Sequence, residues 1–485
     1  MSSALAALEP ALLWERFSEL TRIARPSKEE GPARDHVLAW AEERELAASV
    51  DSEGNVVVRV AASPGRENAP TVVLQSHLDI VCERDPASPF DPRKGRIGVL
   101  VDGDWVLADG TTLGADNGIG VAAALAVADD SVVAHGPLEL LFTVSEEQGL
   151  TGARMLEPSL VSGRLLVNLD GSSDDGFTVG CAGSVHTYIR RYYEVEIAGG
   201  RGLEVRVSGA RGGHSGEDIA SGRANANKAL GRVLDRALSA VPFRLVLLEG
   251  GVSRNAIPRE ACAVLRVGDD DLDGFREVAF AEFAAVRNEF AGTDPQLALD
   301  VARSRRIHYT VDDGSTADLV QLLAELPTGV IAARRDNPDV VETSTSLTVV
   351  QTDAELDFVT FGSMTRSANP EALEQVAAQI REIAEEADAE VEVVRSYPPW
   401  QPDPSSRLLA LARETWARVF ASEPALTVVH GGLECAVLGE KLPGVDMVSI
   451  GPEIVGLHAP GEKVRVSSTQ RFYRLLGALL DDLSR

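Results

Sequence analysis

The stretch Val72-Val73-Leu74-Gln75-Ser76-His77-Leu78-Asp79 decides how the chain is read. An apolar, β-branched run that ends in polar residues predicts a buried strand delivering side chains to a site at its end. Side chains alternate along a strand, so His77 and Asp79 are expected to point the same way. An imidazole can ligate a metal through one nitrogen while a nearby carboxylate fixes the ring. A lone histidine at a strand end is more often a hydrogen-bonded structural residue, so the metal reading depends on what the rest of the chain supplies.

Before this stretch, residues 12–23 carry a helical apolar period. Ser27 and Glu30 make a capping-box pattern ahead of a second helix running toward residue 46. Residues 52–55 read as a turn, 56–60 as a strand and 62–69 as a loop. Helices alternating with strands predict an α/β layer.

After it, residues 81–113 are long and irregular, with Pro86, Pro89 and Pro92 and a hairpin expected at 101–105. Long connections inside a compact domain are usually functional. This one ends in Gly110-Thr111-Thr112-Leu113-Gly114-Ala115-Asp116-Asn117-Gly118-Ile119-Gly120, directly before an Ala-rich helix at 121–127. Asp116 fits a helix N-cap beside a tight turn, and it also fits a carboxylate that glycines bring close to a metal. The apolar strand 138–144 runs into Ser145-Glu146-Glu147, and the strand 165–169 into Asp170. Adjacent glutamates at a buried strand end diverge, which permits one on a metal and one holding a proton. Acidic side chains placed repeatedly at strand ends are what an open α/β sheet uses to build an active site.

Beyond residue 184 the texture changes. Half-buried strand patterns at 188–197, 202–209, 243–248, 261–267, 344–352 and 355–360 mix with helices at 223–238, 274–290 and 370–387. This predicts an inserted α+β domain over residues 184–396, bounded by Ser396-Tyr397-Pro398-Pro399-Trp400-Gln401-Pro402. The remainder returns to α/β, with a helix at 408–420, strands at 426–429 and 447–450, His458, and a terminal helix at 469–480 capped by Ser467 or Ser468. The catalytic domain is thus expected in two parts, 1–183 and 397–485.

Composition narrows the function. The 485 residues exceed what one core usually serves, and 44% are hydrophobic but only 5% aromatic. A formal charge of −28 argues against nucleic-acid or anionic-membrane partners. No segment approaches a membrane span, and Met1-Ser2-Ser3-Ala4 lacks a charged n-region with an apolar core, so a soluble, cytoplasmic protein is expected. Cys82, Cys181, Cys262 and Cys435 are scattered without a C-x-x-C and read as reduced thiols. His77, Asp116, Glu147, Asp170 and His458 then make a set of two imidazoles and three carboxylates. Such donors suit zinc, with manganese or cobalt able to substitute, and five of them fit two ions if one carboxylate bridges. The implied chemistry is hydrolysis of an amide or ester.

Residues 75–79, 110–120, 145–147, 181–183, 212–216, 254–260, 430–435 and 447–452 together closely resemble the aminoacyl-histidine dipeptidases. These are the carnosine-cleaving branch of the di-zinc peptidases that also include aminoacylases and glutamate carboxypeptidases. The resemblance implies that His77 and Asp170 hold one zinc, Glu147 and His458 the other, and Asp116 bridges. It makes Glu146 the general base, Asp79 the residue orienting His77, and Asp116-Asn117 a candidate cis peptide. The inserted domain becomes a lid and, in the family, the contact of a homodimer. On the lid, His214 would reach the substrate, Asn255 assist, and Arg366 either pair with the C-terminal carboxylate of a small peptide or sit in a surface ion pair. Gly432 and Glu434 would line the pocket, as would His430 unless it is structural. His36, His135, His186 and His308 fit no motif and read as structural or exposed.

Cys82, where relatives are expected to have proline, Ser76 in place of glycine, and the less acidic run 170–175 depart from the pattern without removing a ligand. They bear on substrate preference for a C-terminal histidine. A general dipeptidase or N-acyl amino acid deacylase would share the mechanism. A non-catalytic metal-binding dimeric scaffold would need no base, so Glu146 argues against it.

Overall fold

The structure is a computed structural model that describes residues 5–197, 199–305, 309–335 and 337–485. His308 and the first four residues lie outside the described residues. The chain divides into two compact units, one of Met1–Cys181, Trp400–Val429 and Leu433–Arg485, the other of Ala182–Pro399 and His430–Gly432. The second unit therefore starts at Ala182 rather than at 184 and ends at Pro399 rather than at 396. It also takes in His430–Gly432, which the sequence reading gave to the C-terminal part of the first.

In the first unit an eight-stranded mixed sheet runs in the order Ala47–Val50, Val56–Val60, Leu138–Thr143, Val72–His77, Leu165–Asn168, Asp446–Ser449, Gly176–Cys181, Ala425–Val429. The four strands from Leu138–Thr143 to Asp446–Ser449 are parallel to one another, and the flanking Val56–Val60 and Gly176–Cys181 pair antiparallel with the outer two. Parallel strands buried on both faces need continuous apolar runs, and Val72–His77 and Leu138–Thr143 are buried at every position. The helix Ala115–Asp129 is buried nearly all round, which its Ala, Val, Leu and Ile composition allows. Trp14, Phe17, Leu74, Phe142 and Leu476 belong to the same core.

The second unit carries a nine-stranded sheet whose described pairings are all antiparallel, with the helices Ala226–Leu238, Leu272–Glu289, Asp313–Glu325 and Pro370–Glu386. Its own apolar core includes Leu230, Phe275, Leu319, Phe361 and Ile380. The fold is thus an α/β unit with an inserted α+β unit. Among the described residues no helix is long and apolar enough to cross a membrane.

Two local expectations fail. The Ser27/Glu30 capping box does not form: the helix Gly31–Glu42 has Glu30 itself as N-cap and no side-chain cap bond. The terminal helix spans Val466–Leu483 with Arg465 as N-cap, and Ser468 lies inside it, its Oγ accepting from Glu453 N at 2.6 Å. Sequence reading also placed no element between residues 291 and 343. Yet the helix Asp313–Glu325 carries a cap there, with Asp312 accepting from Ser315 N at 2.9 Å.

Backbone crowding fixes the strand ends. A Cβ on Gly451 would stand 1.7 Å from Gly171 O, so only glycine fits where the chain leaves Asp446–Ser449 beside Asp170. Gly451→Ala is expected to destabilise the protein by about 1–3 kcal/mol, as overpacking does. A lowered thermal midpoint checks this, and an unchanged midpoint contradicts the crowding.

Candidate metal centre

Three parallel neighbours bring their C-terminal ends together. His77 closes its strand opposite Thr143, and Gln75 pairs with Asn168. The turn after Thr143 carries Glu146 and Glu147, and Asp170 follows Asn168. Asp116 enters from the start of Ala115–Asp129, where its φ and ψ of −80° and 112° are not helical. The Asp116-Asn117 peptide is cis. Asn117 spans the strand ends: its Oδ1 accepts from His77 N at 3.3 Å and its Nδ2 donates to Leu169 O at 2.9 Å.

Asp116 stands between the two imidazoles. His77 Nε2 lies 3.0 Å from Asp116 Oδ1 and 3.5 Å from Asp170 Oδ1. His458 Nε2 lies 3.2 Å from Asp116 Oδ2 and 3.0 Å from Glu147 Oε1. Ligand atoms on one tetrahedral ion at about 2.0–2.1 Å stand about 3.3 Å apart, so both groups fit. Among the described residues, His77–Asp116–Asp170, His77–Glu146–Glu147 and Asp116–Glu147–His458 each bring their ligand atoms within 4.8 Å. All five sequence-predicted ligands therefore meet in one place. Their nitrogen and oxygen donors are those a divalent cation such as zinc takes.

Asp79 lies just past the strand and ties the centre together. Its Oδ1 accepts from Glu146 N at 3.0 Å, and its Oδ2 from Glu147 N at 3.2 Å and Ser27 Oγ at 2.7 Å. His77 Nδ1 sits 3.1 Å from Asp79 O and 3.5 Å from Asp79 Oδ1, leaving Nε2 for a metal. Ser27 and Glu30, read as caps, serve this site instead. Glu30 Oε1 accepts from Ser145 N at 2.8 Å and Ser145 Oγ at 3.0 Å, holding a residue with φ of 50° just before the two glutamates.

The charges conflict strongly. Burial pushes the Glu146 carboxyl well above its ordinary value; His77 opposes this, and Glu147, Asp170 and Glu434 add to it. Burial also raises Asp170 to about 8. Burial works against a charged His77, but Asp170, Asp116 and Asp79 outweigh it and hold the imidazole well above its usual range. Burial likewise disfavours a charged Asp116, yet His458 and His77 keep it far below the ordinary carboxylate value.

Glu434 has no exposed surface. Its Oε2 accepts from Gln75 Nε2 at 2.5 Å and Thr143 Oγ1 at 2.6 Å, and burial lifts its carboxyl to about 7. Gln75 Oε1 in turn accepts from Asn168 Nδ2 at 2.6 Å. In this structure it braces two strands rather than lining a surface.

The remaining predicted residues lie in the second unit. Gly213–His214 pairs with Ala256–Ile257, which sets Asn255 beside His214 in the chain pairing; Asn255 itself is exposed. His214 Nδ1 accepts from Gly216 N at 3.4 Å and Glu217 N at 3.2 Å. Arg366 Nη2 stands 3.5 Å from His214 Nε2, and Arg366 Nη1 donates to Tyr397 Oη at 2.7 Å. Arg366 is 4% exposed with Nε unpartnered, and among the described residues no carboxylate pairs with it, so the surface ion pair is excluded. A Cβ on Gly432 would stand 2.4 Å from Tyr397 Oη, and His430 Nε2 lies 2.7 Å from Ser344 Oγ. Of the histidines outside the motifs, His135 Nδ1 lies 2.7 Å from Gly136 O, His36 Nε2 lies 3.5 Å from Glu19, and His186 stacks on Tyr188.

A cluster of this kind at the carboxyl ends of parallel strands defines a metal-dependent hydrolase. The model of peptidase family M20/M25/M40 matches residues 73–482. The chain is 36% identical over 484 residues, 99% of each chain, to the cytosol non-specific dipeptidase of Escherichia coli (strain K12). It matches the crystal structure of aminoacylhistidine dipeptidase from Vibrio alginolyticus at TM-score 0.81 and 34% identity, covering 99% of this chain and 98% of that one. Aminopeptidase PepT from Bacillus cereus shares the fold at TM-score 0.57 and 16% identity, over 99% and 100% of the two chains. The chain belongs to peptidase family M20/M25/M40 and is a metallopeptidase.

Metal uptake needs neutral imidazoles, whereas the metal-free site favours a protonated His77. Binding at pH 7 is therefore expected to release protons, and affinity to fall as pH is lowered. Calorimetry in buffers of different ionisation enthalpy counts those protons. A count of zero contradicts the ligand assignment.

Proposed function

We propose that the protein is a cytoplasmic two-metal dipeptidase acting on short peptides with a free amino terminus, preferentially Xaa-His dipeptides including β-alanyl-histidine. The observation that carries this reading is Asp116, whose two carboxylate oxygens face His77 on one side and His458 on the other. The donor set favours zinc, with manganese or cobalt able to replace it. When bound, two such ions would polarise the scissile carbonyl and make water acidic enough to attack at neutral pH.

The chain's own residues supply the rest. Glu146 Oε2 lies 4.0 Å from His77 Nε2, and burial holds its carboxyl well above the ordinary carboxylate range, as a group that accepts a proton requires. It takes the proton of the attacking water and passes it to the leaving nitrogen. Asp79 holds the Glu146 and Glu147 amides and the His77 ring in one geometry. In the second unit, Arg366 and His214 converge, and a buried guanidinium without a carboxylate partner is costly unless an anion completes it. The C-terminal carboxylate of a dipeptide is the anion this reading assigns to Arg366, with His214 and Asn255 assisting and the second unit acting as a lid. A homodimer through that unit belongs to the same proposal; light scattering that finds a monomer contradicts it.

The curated relative's name favours a second reading, a broad dipeptidase with the same machinery. Hydrolysis of β-alanyl-histidine, Ala-His, Gly-Gly and an N-acetyl amino acid, compared by kcat/KM, separates the two. Comparable rates on Ala-His and Gly-Gly favour the broad enzyme, and preference for the N-acetyl compound contradicts both. Glu146→Gln is expected to lower kcat by about 10²–10⁴ while bound metal is retained. Full activity in that variant removes Glu146 from the role of base.

A further inference from the structure

One buried carboxylate beside the centre has no part in the mechanism above. Glu462 is 2% exposed. Its Oε2 accepts from Leu113 N at 2.8 Å and Gly114 N at 2.9 Å, and its Oε1 from Ala115 N at 2.8 Å and Asp116 N at 3.2 Å. These are consecutive amides leading into the helix Ala115–Asp129. The first amides of a helix lack intrahelical partners and present the positive end of its dipole. The N-cap here is Gly114 at φ 68°, which makes no side-chain cap bond, so Glu462 caps the helix from a distant part of the chain.

The same side chain anchors the segment that carries His458. That imidazole is 42% exposed, and its backbone has φ of 61°, so burial alone does not hold it. The chain after it is fastened by Glu462, by Gly461 N donating to Thr111 O at 3.3 Å, and by the pairing of Lys463–Arg465 with Trp105–Ala108. Arg25, fully buried, donates to Leu78 O at 3.0 Å and Gly114 O at 2.7 Å and is drawn electrostatically to Glu462. One carboxylate thus joins the loop of the bridging ligand to the loop of a terminal ligand.

We propose that Glu462 is a positioning residue that clamps the Asp116 and His458 loops together and thereby sets the affinity of the Asp116–Glu147–His458 metal position. This rests on the two-metal reading. The opposite position keeps His77 and Asp170, both fixed by strand ends, and loses only the orientation of Asp116. Gln has a single acceptor oxygen and turns an NH₂ group toward amides that also donate, so it cannot serve both halves of the clamp.

The test is Co²⁺ titration of the full chain, stripped of metal, with both dissociation constants read from visible spectra. For Glu462→Gln the expected result is one constant weakened about 10–100-fold and the other within a few-fold of wild type. Turnover should then fall in kcat with KM for the dipeptide unchanged at limiting Co²⁺. Glu462→Asp, which keeps the charge on a shorter arm, should lie between the two, and it carries the test if Glu462→Gln does not fold. Wild-type constants in both variants overturn the clamp. Equal weakening of both constants with loss of folded protein by circular dichroism also overturns it, since that is a general structural role. Wild-type protein that takes up fewer than two Co²⁺ overturns the two-metal reading and the clamp with it, whereas two ions in wild type with unchanged constants in the variants overturn the clamp alone.

Discussion

Like charges held close together in a buried place are the constraint around which the first unit is built. Asp116, Glu146, Glu147 and Asp170 converge with two imidazoles at the ends of adjacent parallel strands, and burial is the largest force opposing charge on each carboxyl. Without cations the cluster relieves this by taking up protons, hence the raised Asp170, Glu146 and His77. Divalent ions would relieve it without protons, and the proposed function then has one carboxyl free to work as a base. The sheet explains how such a cluster can be held: parallel register pairs Gln75 with Asn168, two residues before His77 and Asp170, and backbone amides donating to Asn117, Asp79 and Glu30 pin the connecting turns.

Much of this was legible because it is local. The apolar strands 72–77, 138–143 and 165–168 announce themselves by composition, and each ends in or is followed within a few residues by an acidic or imidazole member of the cluster. The inserted unit was legible from the change from apolar runs to alternating strands near residue 184. What could not be read locally are bonds between residues far apart in the chain. Ser27 and Glu30 fit a helix cap by spacing, yet their partners are Asp79 and Ser145. Glu434, singled out in sequence only by resemblance, and Glu462, which no motif marks, are buried carboxylates whose partners lie hundreds of positions away. The helix Asp313–Glu325 differs, since its signals, Asp312 as N-cap and the apolar period after it, are local.

Burial settled one ambiguity that spacing left open. Arg366 on sequence alone is either a surface ion pair or an anion anchor; at 4% exposure, held by Tyr397 and beside His214, it is not the former. The Tyr397 contact also accounts for Gly432, because a side chain there would occupy the space of the phenol. Both features belong to the second unit, which therefore holds a polar centre of its own and is more than a spacer.

In the proposed function, hydrolysis depends on two ions sharing Asp116. The most direct measurement strips the protein with chelator, adds zinc in steps, and follows bound metal and hydrolysis of β-alanyl-histidine and Ala-His together. Activity is expected to return fully only as the second ion binds each chain. Full activity with one ion per chain, or two bound ions with neither peptide cleaved, would contradict it.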